Sequence, residues 1–206
     1  MMDFSSSLTL LLVLVTVLVS IAGFRNTQLI DKTILWPARM EGPADYYRFL
    51  TSGFIHQDTM HLIFNMFTLY FMGGYVERLY AAMGMPFAYV GLYLAGIVAS
   101  SIPSFLKNRN NPYYRSLGAS GGVAAVLFAS VYFDPWVKLL IFFIPVPSIV
   151  FAILYLVYSA YMGKRQSDNI NHDAHLWGAV FGFFFTLLIA PDHGRFFVEQ
   201  ILQPRF

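Results

Sequence analysis

The chain is 206 residues long, 57% apolar, 18% aromatic and only 12% charged, with a mean hydropathy of +0.59. Soluble domains average about 25% charged residues, so this composition leaves too little polar surface to cover a water-soluble globule, and it excludes a disordered chain as well. A net charge of +2 offers no basic patch for nucleic acid and no acidic tail, and the absence of cysteine removes disulfides, thiol nucleophiles and thiolate metal sites.

Six apolar stretches follow one another along the chain: Leu8–Phe24, Leu62–Val76, Phe87–Ile102, Gly118–Phe133, Val137–Met162 and Leu176–Ala190. Each approaches the ~20 residues needed to cross a hydrocarbon core, and short ones can be met by local thinning or snorkelling. Only connecting loops remain. The expectation is an all-α membrane protein, one six-helix domain over residues 1–206 with a long first loop and no separate soluble domain. Met1–Ser7 carries Asp3 and no Lys or Arg, so the first stretch reads as a membrane helix and not as a signal peptide.

The loops differ in character. Arg25–Asp58 is long, mixed in charge and punctuated by Trp36, Tyr46 and Tyr47, so it is expected to carry small elements or function. Lys107–Leu117 is polar and basic, and Gly163–Asp173 is strongly polar. Asp134-Pro135-Trp136 reads as a tight turn that makes spans four and five a helical hairpin. Phe142, Phe143 and Phe183–Phe185 read as lipid-facing and packing surface.

Polar side chains inside membrane helices are costly, and those present are functional candidates. Span two opens with His56, Gln57, Asp58, His61 and Asn65; span four with Gly118-Ala119-Ser120-Gly121-Gly122; span six with His172, Asp173 and His175, then Gly178 and Gly182. Successive spans alternate direction, so these three groups enter from one face at similar depth. His61 and Asn65 are i, i+4 and share a helix face. Gly178-x-x-x-Gly182 allows close backbone approach, and span four offers matching small residues, which would bring Ser120 within reach of His175.

That arrangement points to nucleophilic catalysis. A serine hydroxyl needs a base to accept its proton, and neutral histidine is the usual one. Ser120 stands at a helix N-terminus, where unpaired amides and the helix dipole favour an oxyanion, and His61 and Asn65 can add side-chain donors. Asp173, two residues from His175, faces elsewhere, so a Ser–His dyad is expected rather than a triad. His56 is expected to be structural, bonding loop backbone. Taken singly, each residue has a blander reading as a packing or interhelical hydrogen-bonding group. The four histidines His56, His61, His172 and His175 also raise a zinc site, but no His-Glu-x-x-His occurs and His56 and His61 share a face poorly. No metal or cofactor is expected.

The segments His56-Gln-Asp-Thr-Met-His61-Leu-Ile-Phe-Asn65, Gly118-Ala-Ser120-Gly121 and Ala174-His175-Leu-Trp-Gly178-Ala-Val-Phe-Gly182 resemble, in order and spacing, those of the rhomboid intramembrane serine proteases. The resemblance extends over nearly the whole chain. Tyr47-Arg48 resembles the Trp-Arg motif of that family's first loop, with Tyr in place of Trp. By this resemblance Ser120 would be the nucleophile, His175 the general base and then acid, and His61, Asn65 and the Ser120 amide the oxyanion hole. Some relatives stack an aromatic residue, four after the serine, on the histidine. Here that position is Ala124, so His175 must be held by something else.

The resemblance implies cleavage of single-span membrane proteins in the lipid bilayer, on the extracytoplasmic side of an inner or plasma membrane, without nucleic acid or metal partners. Helix breakers near the cut should help, because a substrate helix must unwind before attack. A catalytically silent client-binding relative and a small six-span transporter are the other readings. Charge bias argues against the family orientation: Arg25, Lys32, Arg39, Arg48, Lys107, Arg109, Arg115, Lys164 and Arg165 lie on the Ser120 side, and Arg78, Lys138, Arg195 and Arg205 opposite. By the positive-inside rule the Ser120 face would be cytoplasmic. The family orientation is preferred, because the long first loop that carries four of these charges can fold into the protein.

Overall fold

A computed structural model describes residues 7–141, 143–165, 168 and 170–204. Asp3, Phe142 and Arg205, and Gln166, Ser167 and Asn169 of the Gly163–Asp173 loop, lie outside them. The chain begins with helix α1 (Ser7–Phe24), followed in the long loop by two short helices, α2 (Thr27–Thr33) and α3 (Arg48–Thr51). Next come α4 (Thr59–Thr68), a π-helical turn at Leu69–Gly73, and α5 (Gly74–Ala82). Asp58 starts α4 by accepting the His61 N–H at 2.8 Å, as an N-cap carboxylate should. The π turn ends at the Gly73-Gly74 pair, where a Cβ on Gly73 would press on Thr9 and the Tyr89 hydroxyl. Helix α6 (Pro86–Lys107) opens with Pro86 in its first turn, where a missing N–H costs nothing.

Helix α7 (Ser120–Phe133) is the centre of the molecule, buried from Gly121 through Phe133. Small residues make that burial possible. A Cβ on Gly96 of α6 would lie 3.3 Å from Gly122 Cα, and Cβ atoms on Gly178 and Gly182 of α9 (His172–Ile189) would run into the Gly121 and Ala125 backbones. Backbones in such contact gain dispersion energy that lipid tails cannot supply. The outer surface is apolar, with Leu14, Leu18, Phe64, Phe67, Leu154, Val157 and Leu188 exposed. Two described helices, Pro86–Lys107 and His172–Ile189, are long and apolar enough to cross a membrane; Leu8–Phe24 and Ser120–Phe133 are apolar but shorter.

Two features depart from the sequence reading. Asp134-Pro135-Trp136 does not turn directly into a helix: strands β1 (Lys138–Ile141) and β2 (Ile144–Pro147) form an antiparallel hairpin, and α8 (Ser148–Arg165) starts only after it. Pro145 and Pro147 lack the N–H a helix interior requires, so the apolar run from Val137 cannot be helical throughout. Helix α10 (His193–Leu202) follows α9 and docks by stacking Phe197 on Tyr132 at 5.6 Å.

Candidate active site

The loop before α7 is fastened at two successive amides. Gly118 N–H donates to Ser52 O at 2.9 Å, and Ala119 N–H donates to His56 Nε2 at 3.3 Å. Gly118 has φ +117°, a conformation open to glycine, and a Cβ there would strike the His61 ring at 2.5 Å. Among the described residues the next amide, Ser120 N–H, has no such partner. It stands in the first turn of α7, where uncommitted N–H groups point away from the helix.

His56 joins three segments. Because its Nε2 accepts from Ala119, its Nδ1 carries the proton and donates to Ser20 Oγ of α1 at 2.9 Å, and that hydroxyl donates on to Phe54 O at 3.0 Å. Protonation of Nε2 would set N–H against N–H. Burial first, and then the neighbouring His61, push the His56 pKa down from 6.5 to about 3, consistent with a neutral ring. The His61 ring packs edge-on to His56 with centroids 4.9 Å apart. Asn65, buried one turn later, donates from Nδ2 to His61 O at 2.9 Å, which leaves its carbonyl oxygen and second N–H for the site.

Helix α9 brings the third group. Asn171 caps it by accepting Ala174 N–H at 3.1 Å, accepts Ser104 Oγ of α6 at 3.0 Å, and donates to Ser116 Oγ at 2.8 Å. One side chain thus fixes the start of α9 against α6 and against the loop leading to Ser120. Gly178 is seated on Gly121, so α7 and α9 meet backbone to backbone one residue after Ser120 and three after His175. Among the described residues no hydrogen bond joins Ser120 Oγ to His175; such contacts commonly tighten only when substrate is bound. The His175 ring stacks on Tyr155 of α8, with centroids 6.0 Å apart and planes at 18°, and lies edge-on to His172 at 5.8 Å. Asp173 turns away to pair with Lys107 at 2.8 Å.

Arg48 belongs to the first loop and not to this cluster: its Nη1 donates to Asp31 O at 2.8 Å and Ile34 O at 3.0 Å. Arg39 and Arg115 flank the Trp36 ring at 3.6 and 4.0 Å. No group of three or more His, Cys, Asp or Glu able to hold a metal occurs among the described residues. Asn171 is a site residue the sequence reading passed over, although an Asn just ahead of a helical stretch is an N-cap signal. Tyr155 carried no signal, because nothing periodic in α8 marks which ring meets α9. Glu77 was also missed. It is buried on α5 and accepts the Leu8 and Thr9 N–H groups at 3.0 and 2.9 Å, capping α1 from across the molecule.

A family model described as the Rhomboid domain matches residues 43–192. RHOMBOID-like protein 12, mitochondrial, of Arabidopsis thaliana is 30% identical over 63% of this chain and 42% of its own length. Rhomboid protease GluP of Bacillus subtilis is 28% identical over 78% of this chain and 29% of its own length. Rhomboid protease GlpG of Haemophilus influenzae is 29% identical over 58% of this chain and 59% of its own length. The chain thus covers less than two thirds of each of these relatives.

Proposed function

The chain belongs to the rhomboid family of integral membrane proteins, and from that premise we propose that it is an intramembrane serine protease with a Ser120–His175 dyad. In this reading α1, α4 with α5, α6, α7, α8 and α9 are six spans of one membrane domain. The observation that carries it is the fastened Gly118–Ala119 loop, which leaves the Ser120 amide, beside His61 at a helix N-terminus, without a hydrogen-bond partner among the described residues.

His175 accepts the Ser120 proton as Oγ attacks the scissile carbonyl. The oxyanion forms against the Ser120 N–H, with His61 and Asn65 as side-chain donors, and the helix dipole of α7 adds to them. His175 then protonates the leaving amine, and water taken through the same base releases the acyl group. Substrates are single-span membrane proteins whose helix unwinds near the cut, since helical carbonyls are held in i to i−4 bonds. The site opens to the extracytoplasmic side of an inner or plasma membrane. Arg39, Arg48 and Arg115 are engaged by Trp36 and loop carbonyls, which weakens the opposing charge-bias argument. The test is a single-span substrate reconstituted with purified protein: cleavage by wild type and none by Ser120→Ala. Uncut substrate that still co-purifies with the wild type would favour a client-binding role. C-terminal reporter fusions that locate outside the cytoplasm would overturn the orientation.

A further inference from the structure

Tyr155 reaches the candidate base from a helix other than those that carry the dyad. Its ring lies parallel to His175, and it is itself wedged between Phe128 of α7 and Phe151 of α8, each with centroids 5.7 Å away. It packs in the same apolar cluster as Ala124, the α7 residue one turn beyond Ser120, whose single methyl leaves room for a ring arriving from the side. Among the described residues its hydroxyl makes no hydrogen bond, so the contact belongs to the ring face. Among the described residues no carboxylate hydrogen-bonds His175, and its other ring neighbour is His172, which is itself paired with Asp168 at 3.2 Å. We propose that Tyr155 is the positioning residue for His175, holding the imidazole plane by stacking in place of the carboxylate that a triad would use. The consequence is that the order of the base depends on the seat of α8, whose opposite face is exposed apolar surface at Ile153, Leu154 and Val157.

The inference rests on His175 being the base, and its test separates the two ideas. Tyr155→Leu keeps an apolar side chain in the cluster but removes the π face; Tyr155→Phe keeps the face and removes the hydroxyl. Labelling of Ser120 by a fluorophosphonate is followed against pH, and the His175 ring is followed by NMR of histidine-labelled protein in detergent. Tyr155→Leu is expected to label about ten- to a hundredfold more slowly, the range a misplaced catalytic group incurs. Its rate should climb steadily with pH as hydroxide substitutes for the base, and its His175 signal should broaden. Tyr155→Phe should retain the wild-type rate, profile and single sharp signal. Wild-type behaviour in Tyr155→Leu, or equal impairment in Tyr155→Phe, overturns the proposal. If wild type shows no Ser120-dependent labelling, the protease reading fails instead, and the NMR signal still decides whether Tyr155 holds the ring.

Discussion

His56 Nε2 accepts the Ala119 N–H at 3.3 Å, so a neutral imidazole holds the residue next to the candidate nucleophile. A group outside the proposed chemistry thereby sets its geometry. Both partners are almost completely buried, so neither can exchange this bond for water.

A pH dependence of stability follows from this bond. The folded-state pKa of His56, about 3, lies below its ordinary 6.5, so the unfolded chain binds more protons between those values. The stability that His56 contributes is complete above pH 6.5 and falls as pH drops toward 3. Melting in detergent from pH 7 to 4 should fall more steeply for wild type than for His56→Leu. At pH 7 that variant should be less stable by about 1–3 kcal/mol, the cost of an unpaired buried N–H. Parallel melting curves for the two proteins would show that His56 is not the titrating group.

The dyad should behave as one unit. Ser120→Ala and His175→Ala are each expected to abolish cleavage of a reconstituted single-span substrate, with the double variant no worse than either. Chelators should leave the wild-type rate unchanged. Activity that survives Ser120→Ala but not chelation would reassign the histidines to a metal.

Loss of an oxyanion donor is graded rather than absolute. Asn65→Ala should lower kcat by roughly 10² to 10³, about 3 kcal/mol, with little change in KM. His61→Ala should fall in the same range with an added loss of packing against Gly118 and His56. Unchanged kcat in Asn65→Ala would remove it from the oxyanion site.

Two glycines should tolerate no side chain. Gly118→Ala meets both a strained φ of +117° and the His61 ring, and Gly182→Val meets the Ala125 backbone. Each should lower the melting temperature, with overpacking costs of about 1–3 kcal/mol. Gly42→Ala, whose Cβ meets nothing within 4 Å, is the control and should melt as wild type.

Glu77 should matter for stability away from the chemistry. Glu77→Ala strands the Leu8 and Thr9 amides, while the Thr9 hydroxyl loses its 2.7 Å bond to Oε2 and keeps the Tyr89 hydroxyl at 2.9 Å. The expected loss is about 1–3 kcal/mol in unfolding, with cleavage per folded molecule preserved.

Much of this protein is determined by local chemistry in the chain. Apolar stretches separated by charge locate α1, α6, α7 and α9 within a few residues, because a helix whose every face is buried or turned to lipid must be apolar throughout. His61, Asn65, Ser120 and His175 stand out as candidates because polar groups in such stretches are costly, and the small residues at Gly178 and Gly182 declare a close helix contact. The apolar run after Trp136 misleads, since hydropathy cannot distinguish a proline-bearing hairpin from a helix start. What only the tertiary structure decides is pairing across distance: Glu77 with the start of α1, Asn171 with Ser104 and Ser116, His56 with Ala119, and Tyr155 with His175. None of these partners is within reach along one helix. Each contact exists because packing around α7 sets the depth and rotation of its neighbours, and no periodicity within a single segment encodes the rotation of another.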